Sequence, residues 1–202
     1  MRRFVLGWKT LGHEARFQAR IVNYADDFVI CCRGTAHKAM SAMRGMMSEL
    51  KLTVNEDKTH VREAPAETFD FLGYTFGLHW AYRTKRKVLC GKPSKKRIAR
   101  VCERISAITD RKRSYLDPSR VVGELNGVLH GWAGYFCLGP VSDAYRAING
   151  HVRYRFRRWW SAKHKVRSRK LEPCWYWSPW LEQTFGLLQL RWDPSRLPHA
   201  KA

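Results

Sequence analysis

The spacing of the hydrophobic positions changes along this chain and divides the predicted elements into two kinds. In the first part, short apolar runs at residues 21–22 and 28–30 and an alternation at residues 69–76 are typical of strands. One stripe at helical spacing, which Thr35 can cap, lies between them and consists of Ala36, Ala39, Met40, Met43, Met47 and Leu50. We therefore predict β-hairpins with one helix, whose methionines pack in a core.

Two other stretches of the first part carry weaker patterns. Residues 1–20 are basic, are interrupted by Gly7 and Gly12, and show no clean period. Residues 52–59 predict a strand, a polar turn and the start of another strand.

Gly73 lies among large alternating residues, which indicates a hairpin with a close approach of the backbone.

Beyond about residue 92 the period changes from two to 3.6, so the later elements are predicted to be helices. Ser94 can cap the first helix, and Asp117-Pro118 supplies a cap followed by proline for the second. Gly139-Pro140 ends the second helix, and Ser142 can start a third. Three amphipathic helices with short loops predict a small bundle.

The end of the chain is basic and then aromatic. Residues 163–170 are an almost unbroken basic run, which is either a solvated face or an extension of a phosphate-binding track. The aromatic residues at 174–180 either pack under the bundle, which we favour, or offer a stacking surface. Residues 185–192 predict a docked strand or turn, and residues 193–202 a flexible tail.

The charge balance narrows the classes of function. The chain has 38 lysines and arginines against 17 aspartates and glutamates, a formal net charge of +21. Such a charge favours a polyanionic partner, nucleic acid first and an anionic membrane surface second. Nine tryptophans favour nucleic acid further, because flat rings can stack on unpaired bases. No apolar run approaches transmembrane length, so we expect a soluble, cytoplasmic protein that does not bind membranes.

Cysteine spacing excludes the common zinc-binding patterns. No Cys-x-x-Cys pair occurs, and most of the cysteines lie in apolar or aromatic runs. We predict that they are reduced and buried, in an intracellular protein. The six are Cys31, Cys32, Cys90, Cys102, Cys137 and Cys174.

Two adjacent carboxylates, Asp26 and Asp27, lie where a hairpin tip is predicted. They repel each other, and a divalent cation such as Mg²⁺ would relieve the repulsion. An ordinary turn is the alternative, because aspartate is a common turn residue. The apolar flanks and the preceding Tyr24 favour the metal-binding interpretation.

The stretch Tyr24-Ala25-Asp26-Asp27 resembles the active-site motif of reverse transcriptases, and its sequence is the one common among those encoded by group II introns. Asn55, Lys58 and Thr59 resemble the following palm box of that family. Leu72-Gly73-Tyr74 resembles its primer grip. The stretches Leu125-Asn126, Gly131-Trp132-Ala133 and Tyr135-Phe136 resemble the signature of its maturase domain.

The resemblance implies an α+β fold, in which a partial reverse-transcriptase palm of β-hairpins plus a helix precedes a three-helix thumb or maturase bundle. The palm would comprise residues 1–91, the thumb or maturase domain residues 92–192, and the tail residues 193–202. The implied function is that of the C-terminal portion of a group II intron RNA-directed DNA polymerase and maturase. Such a protein binds intron RNA or an RNA–DNA duplex, and assists splicing and reverse transcription.

The resemblance also implies roles for individual residues. Asp26, Asp27 and Lys58 would be catalytic, with Asp26 and Asp27 holding Mg²⁺ in the complete enzyme, and Leu72, Gly73 and Tyr74 would form the primer grip. Basic residues of the helical part would bind nucleic acid: Lys95, Lys96, Arg97, Arg100, Arg104, Arg146, Arg153, Arg157, Arg158, Lys163, Lys165, Arg167 and Arg169.

The chain departs from the family at its start, because only residues 1–25 precede the aspartate pair. We expect a truncated reading frame or a trimmed chain, which binds Mg²⁺ weakly and extends no primer. The alternative is a stand-alone maturase-type RNA-binding module without catalysis. A third possibility, an unrelated basic protein of a ribonucleoprotein, explains the charge but leaves the ordered motifs as coincidence.

Overall fold

The computed structural model describes residues 1–81, 85–165 and 174–193. It has the predicted mixed α+β composition and forms two compact units, Met1–Glu67 and Thr68–Ala202. The division between these units differs in position from the predicted boundary near residue 92, which falls inside the second unit. The identity of the domains as palm and thumb stays a prediction.

The first unit combines three helices with one β-hairpin. Its elements are α1 (Arg2–Thr10), α2 (His13–Arg16), β1 (Ala19–Tyr24), β2 (Asp27–Cys32), α3 (Ala36–Glu49) and a 3₁₀ turn (Glu56–Lys58). Phe4 and Trp8 of α1 are fully buried, in the same core as the buried Met43 and Met47 of α3. The methionine stripe is therefore core, as predicted.

Two predictions for the first unit were wrong, the strand at residues 52–59 and the Thr35 cap. Residues 1–20, which show no clean period, form α1, α2 and the start of β1, and Phe4 and Trp8, one turn apart, bury one face of α1 in the core. Residues 52–59 form no strand, since the Asn55 side chain accepts a hydrogen bond from the Lys58 amide and closes a 3₁₀ turn. Thr35 does precede α3, but its hydroxyl donates to the Phe17 carbonyl at 2.7 Å instead of capping the helix.

The second unit begins with a three-stranded antiparallel sheet of β3 (Phe69–Phe71), β4 (Tyr74–Ala81) and β5 (Arg86–Pro93), in that order. Phe71 pairs with Tyr74, so Leu72 and Gly73 are a two-residue hairpin loop. Both have positive φ, +50° and +81°, as the loops that match strand twist require. The predicted hairpin around Gly73 is confirmed.

Helices α4 (Lys95–Ile108), α5 (Pro118–Tyr135), α6 (Ser142–His164) and α7 (Cys174–Phe185) follow, with a 3₁₀ turn at Arg111–Arg113. Two predicted caps are confirmed, because Ser94 accepts a hydrogen bond from the Arg97 amide and Asp117 accepts one from the Ser119 amide. Helices α4, α5, α6 and α7 share one core with fully buried Ile105, Leu125, Leu129, Ile148 and Phe156.

Contacts between α4 and α6 advance in the same direction along both helices. His151 contacts Cys102 and Ser106, and Arg155 contacts Ser106 and Thr109. The two helices therefore pack directly against each other and run parallel.

Residues 186–193 dock on the helices without forming a strand. Leu187 and Leu190 are buried, and Gly186, with φ +67°, makes the turn that ends α7. Side-chain amides take the place of a neighbouring strand, since Asn126 bonds the backbone at residues 186 and 188, and Asn149 bonds it at Leu190. Of the two predicted alternatives, a docked strand or a docked turn, the structure shows the turn.

The cysteines are less buried than the sequence predicted. Cys31 is exposed, Cys32, Cys90 and Cys102 are half-buried, and Cys137 is buried. Cys31 is exposed because the outward face of β2 has no covering element within the first unit, and the Cys174 side chain lies outside the described residues. Among the described helices, none combines the length and the apolar character needed to cross a membrane.

Candidate nucleic-acid interface

The aspartate pair lies at the tip of the β1–β2 hairpin. Tyr24 pairs with Asp27, which leaves Ala25 and Asp26 as the loop, and Ala25 has a positive φ of +50°. A two-residue hairpin loop requires such a left-handed conformation, so this φ follows from the turn, as it does at Leu72. Both aspartates are exposed, so their carboxylates are accessible to a cation.

The hairpin that carries the aspartates buries only one face within its unit. Ile21 is buried, whereas Val22 and Tyr24 on the opposite face are 52% and 66% exposed. Asp27 pairs with Tyr24 and so belongs to this exposed face.

Lys58 is the third residue predicted for catalysis. Lys58 is exposed in the 3₁₀ turn Glu56–Lys58, and in the part of the chain that the structure describes no ion pair links it to Asp26 or Asp27. Within residues 1–81, 85–165 and 174–193, no cluster of three or more histidine, cysteine or acidic side chains could hold a metal. The catalytic assignments of these residues remain predictions.

The loop predicted as the primer grip is fastened to the end of α5. Tyr135 donates its hydroxyl to the Leu72 carbonyl at 2.9 Å, and Tyr74 donates its own to the Tyr135 carbonyl at 2.8 Å. Tyr74 is 7% exposed and its ring packs 5.2 Å from that of Phe136, and burial raises the pKa of Tyr74 to about 12. Gly73 has a φ of +81°, and a Cβ there would lie 2.9 Å from Nε of Arg97 and 3.2 Å from the Phe136 ring, so the position favours glycine.

The basic residues of α4 are open to solvent. The three that lie four residues apart, Lys96, Arg100 and Arg104, share one face of the helix. Lys95 and Arg97 are also exposed, and Arg97 additionally lies against Gly73. The predicted phosphate-binding role of these five residues fits their exposure but stays a prediction.

The arginines of α6 differ in their surroundings. Arg146, Arg153 and Arg157 recur on one face, at intervals of seven and four residues. Arg146 is exposed with Asp143 at 3.5 Å, whereas Arg153 and Arg157 are half-buried. Arg158 is exposed on a neighbouring face, and its guanidinium lies 5.7 Å from the Tyr154 ring.

The Lys163 side chain makes hydrogen bonds within the second unit. Its ammonium donates to the carbonyls of Leu116 at 2.8 Å and Ser114 at 3.3 Å, and lies over the Trp159 ring. These bonds reduce its availability for a phosphate, and its role in nucleic-acid binding stays a prediction. Lys165 is exposed, while Arg167 and Arg169 lie outside the described residues.

Sequence reasoning missed the polar side chains that organise the helices. Arg155 donates to the Ser106 carbonyl at 2.9 Å, and so joins α6 to α4. His151 Nε2 donates to the Cys102 carbonyl at 3.0 Å and lies 2.9 Å from Ser106 Oγ, and burial lowers the pKa of His151. One signal was present, because Asn126 and Asn149 lie inside helices, where asparagine is unfavourable without a specific partner.

Residues 98–177 match the family model of the Group II intron, maturase-specific domain. The matched segment starts in α4, contains α5 and α6, and ends within α7. No curated protein matches the chain. The match supports the maturase part of the resemblance and indicates, for these residues, a maturase domain associated with group II intron splicing. It does not extend to the hairpin that carries the aspartates.

Proposed function

We propose that this protein is the C-terminal portion of a group II intron reverse transcriptase and maturase, and that it binds intron RNA to assist splicing. The observation that carries the proposal is the match of residues 98–177 to the maturase-specific domain. The helices in that segment expose the basic side chains that a polyanionic partner requires, and the chain carries a net charge of +21.

The RNA would contact the protein chiefly through its phosphates. Guanidinium groups suit this role because they remain charged and can donate two parallel hydrogen bonds to one phosphate. Arg100, Arg104 and Arg146 are exposed on helices whose apolar faces are buried in the core, so a rigid support holds these charges at the surface. Binding of this kind weakens steeply as salt increases, since each neutralised phosphate releases counterions.

Structured RNA should be preferred to duplex DNA. An A-form helix displays 2′-hydroxyls across a wide, shallow minor groove, which B-DNA lacks. An RNA–DNA duplex shares part of this shape, so it is the second expected partner. Both preferences follow from the proposed maturase and polymerase ancestry.

Polymerase chemistry belongs to the complete enzyme in this proposal. Asp26 and Asp27 offer the oxygen ligands that Mg²⁺ prefers, and a bound pair of ions would stabilise the attacking and leaving oxygens of nucleotide addition. Such a site needs a further carboxylate, which the described residues do not bring to the hairpin tip. We therefore expect the 202-residue chain to extend no primer by itself. The alternative, a stand-alone RNA-binding module, is favoured by the same lack of a third ligand among the described residues.

A competition experiment tests the RNA-binding proposal. Fluorescently labelled group II intron RNA would be bound to the chain at near-physiological salt, and unlabelled intron RNA or duplex DNA of equal length would then be added. We expect intron RNA to compete at a lower concentration than duplex DNA. Equal competition by the two would leave only a generic polyanion binder and would overturn the proposal.

A second experiment separates the polymerase from the stand-alone module. The chain would be mixed with a separately produced fingers and first palm half of a group II intron reverse transcriptase, and primer extension measured with Mg²⁺. Synthesis that is restored by mixing and lost on Asp26→Ala supports the polymerase ancestry. Synthesis by the 202-residue chain alone, also lost on Asp26→Ala, would show that the metal site is already complete.

A further inference from the structure

A cleft of about 290 Å³ lies between α6 and the segment that follows α7. One wall carries Arg146 and Arg153 of α6, and the other carries Arg191 and Trp192. The cleft thus brings three guanidinium groups and one indole ring together. Arg191 and Trp192 were not among the residues that the sequence suggested for nucleic-acid binding.

One side chain of α6 anchors the second wall of the cleft. Asn149, also in the lining, donates to the Leu190 carbonyl at 2.9 Å and accepts from the Leu190 amide at 3.0 Å. Leu190 is 4% exposed, so the segment is also held by apolar burial. Because the next residues in the chain are Arg191 and Trp192, this anchor sets both beside α6. The second wall is therefore built before any ligand arrives.

Two of the arginines in the cleft can exchange their present carboxylate partners for a phosphate. Arg146 lies 3.5 Å from Asp143, and Arg191 lies 3.4 Å from Glu182, and all four side chains of these pairs are at least 45% exposed. Exposed ion pairs contribute little, about 0–1 kcal/mol. A phosphate accepts stronger, charge-assisted hydrogen bonds from arginine.

The aromatic group adds a selectivity that phosphate binding lacks. Trp192 is 44% exposed at the cleft, so part of its ring surface is accessible. A nucleobase can stack on such a ring when it is unpaired, whereas a base inside a duplex is already stacked on its neighbours. The cleft volume lies at the lower limit of ligand pockets, about 300–1,000 Å³, which suits one nucleotide.

We propose that this cleft binds a single unpaired nucleotide of RNA, with its phosphate held by Arg146, Arg153 and Arg191 and its base stacked on Trp192. The inference rests on the proposed function in that RNA is the partner. It adds a defined site for bulged or looped nucleotides. The basic face of α4 and the exposed Arg158 of α6 would contact the paired regions.

The test uses the full chain and an RNA hairpin whose stem carries one bulged 2-aminopurine nucleotide, with the fully paired stem as reference. We expect the bulged hairpin to bind about 5- to 150-fold more tightly, the range that one stacked base supplies, and its 2-aminopurine fluorescence to be quenched on binding. Trp192→Leu should remove both effects and leave the affinity for the paired stem unchanged. Trp192→Tyr, which retains a ring, should keep most of them.

Trp80→Leu is the matched control, because Trp80 is 49% exposed on β4 of the same unit and does not line the cleft. Far-ultraviolet circular dichroism would confirm that each variant is folded. Arg191→Gln, which keeps a polar side chain, should weaken binding of the bulged hairpin more than that of the paired stem. The inference is overturned if the bulge preference persists in Trp192→Leu, or if Trp80→Leu removes it equally. Failure of the proposed function would look different, since the paired RNA stem would then bind no better than duplex DNA.

Discussion

Tyr74 and Tyr135 fasten a β-hairpin loop to the end of a helix through two hydrogen bonds that run in opposite directions. The Tyr74 hydroxyl donates to the Tyr135 carbonyl, and the Tyr135 hydroxyl donates to the carbonyl of Leu72, two residues before Tyr74. The loop resembles the family's primer grip, and Tyr135 belongs to the stretch that resembles the maturase signature. The two motifs, which lie far apart in the sequence, therefore form one structural element within the second unit.

Removing the buried hydroxyl should cost more than removing the exposed one. Tyr74→Phe deletes a donor to the Tyr135 carbonyl at a side chain that is 7% exposed, so we expect about 1–2 kcal/mol of lost stability. Tyr135→Phe is the matched control, because Tyr135 is 52% exposed and water can replace its bond. Urea unfolding of the two variants measures the difference. Equal losses would contradict the buried role of Tyr74.

The same tyrosine should make the fold sensitive to alkali. Burial raises the pKa of Tyr74 from 10.0 to about 12, so the folded protein keeps the phenol protonated where the unfolded chain ionises it. The stabilisation is complete below pH 10 and is lost as the pH rises from about 10 to about 12. Urea unfolding at intervals from pH 9 to pH 11 should show a shallower decline in Tyr74→Phe than in the unmodified protein.

Gly139 should tolerate no side chain. It has φ +74°, and a Cβ there would overlap the carbonyl oxygen of Gly91 on β5. The left-handed conformation and the overlap together predict that Gly139→Ala costs about 2–5 kcal/mol. Gly123→Ala is the control, since Gly123 lies in α5 with nothing within 4 Å of the added Cβ, and it should stabilise the protein by up to about 1 kcal/mol. Thermal unfolding followed by circular dichroism distinguishes the two.

Sequence periodicity predicted α4, α5 and α6 of the second unit well, because their caps and apolar stripes are local features, but it did not predict the helix α7. Ser94 and Asp117 bond amides two or three residues ahead, and such short-range bonds are visible in the sequence. The first helix was missed because its pattern amounts to little more than Phe4 and Trp8, one turn apart. The sequence also did not predict that the face of the β1–β2 hairpin with Val22 is exposed. The alternation of side chains along a strand does not show which of its two faces is covered by other elements.

The candidate site was predictable only in its charge. The sequence does not show whether a basic side chain faces solvent or makes hydrogen bonds within the fold. Lys163 and Arg155 both donate hydrogen bonds to backbone carbonyls. The cleft depends on the pairing of Asn149 with Leu190, 41 residues apart, which no local pattern encodes. Long-range polar contacts of this kind required the structure.

His151 should make the stability fall in mild acid. Burial is the largest cause that lowers its pKa, and the nearby Arg155 guanidinium lowers it further, so the folded protein resists protonation of the imidazole. The unfolded chain takes up a proton near pH 6.5, and stability therefore declines as the pH falls below that value. The decline due to this residue is at most about 1.4 kcal/mol per pH unit. His151→Gln, whose amide can still donate to the Cys102 carbonyl, should flatten the profile between pH 7.5 and pH 5, as measured by urea unfolding. An unchanged slope would remove His151 from the acid response.

The basic face of α4 should account for a defined part of the salt dependence of RNA binding. Lys96, Arg100 and Arg104 are exposed on one face, and each phosphate contact contributes about 0.7–0.9 to the slope of log affinity against log salt. Replacing all three by glutamine should therefore reduce the slope by about two to three. The control replaces Arg2, Arg3 and Lys9, which are exposed in α1 of the first unit and carry the same total charge.

If RNA follows the α4 face, the control triple variant keeps the original slope, because its charges make no phosphate contacts. Fluorescence anisotropy with structured intron RNA at salt concentrations from 50 to about 200 mM, a range over which the effect is large, measures both slopes. Equal reductions in the two triple variants would mean that net charge alone attracts the RNA. An unchanged slope in the α4 variant would place the phosphate contacts elsewhere, and the combined replacement of Arg153, Arg157 and Arg158 by alanine would then test α6.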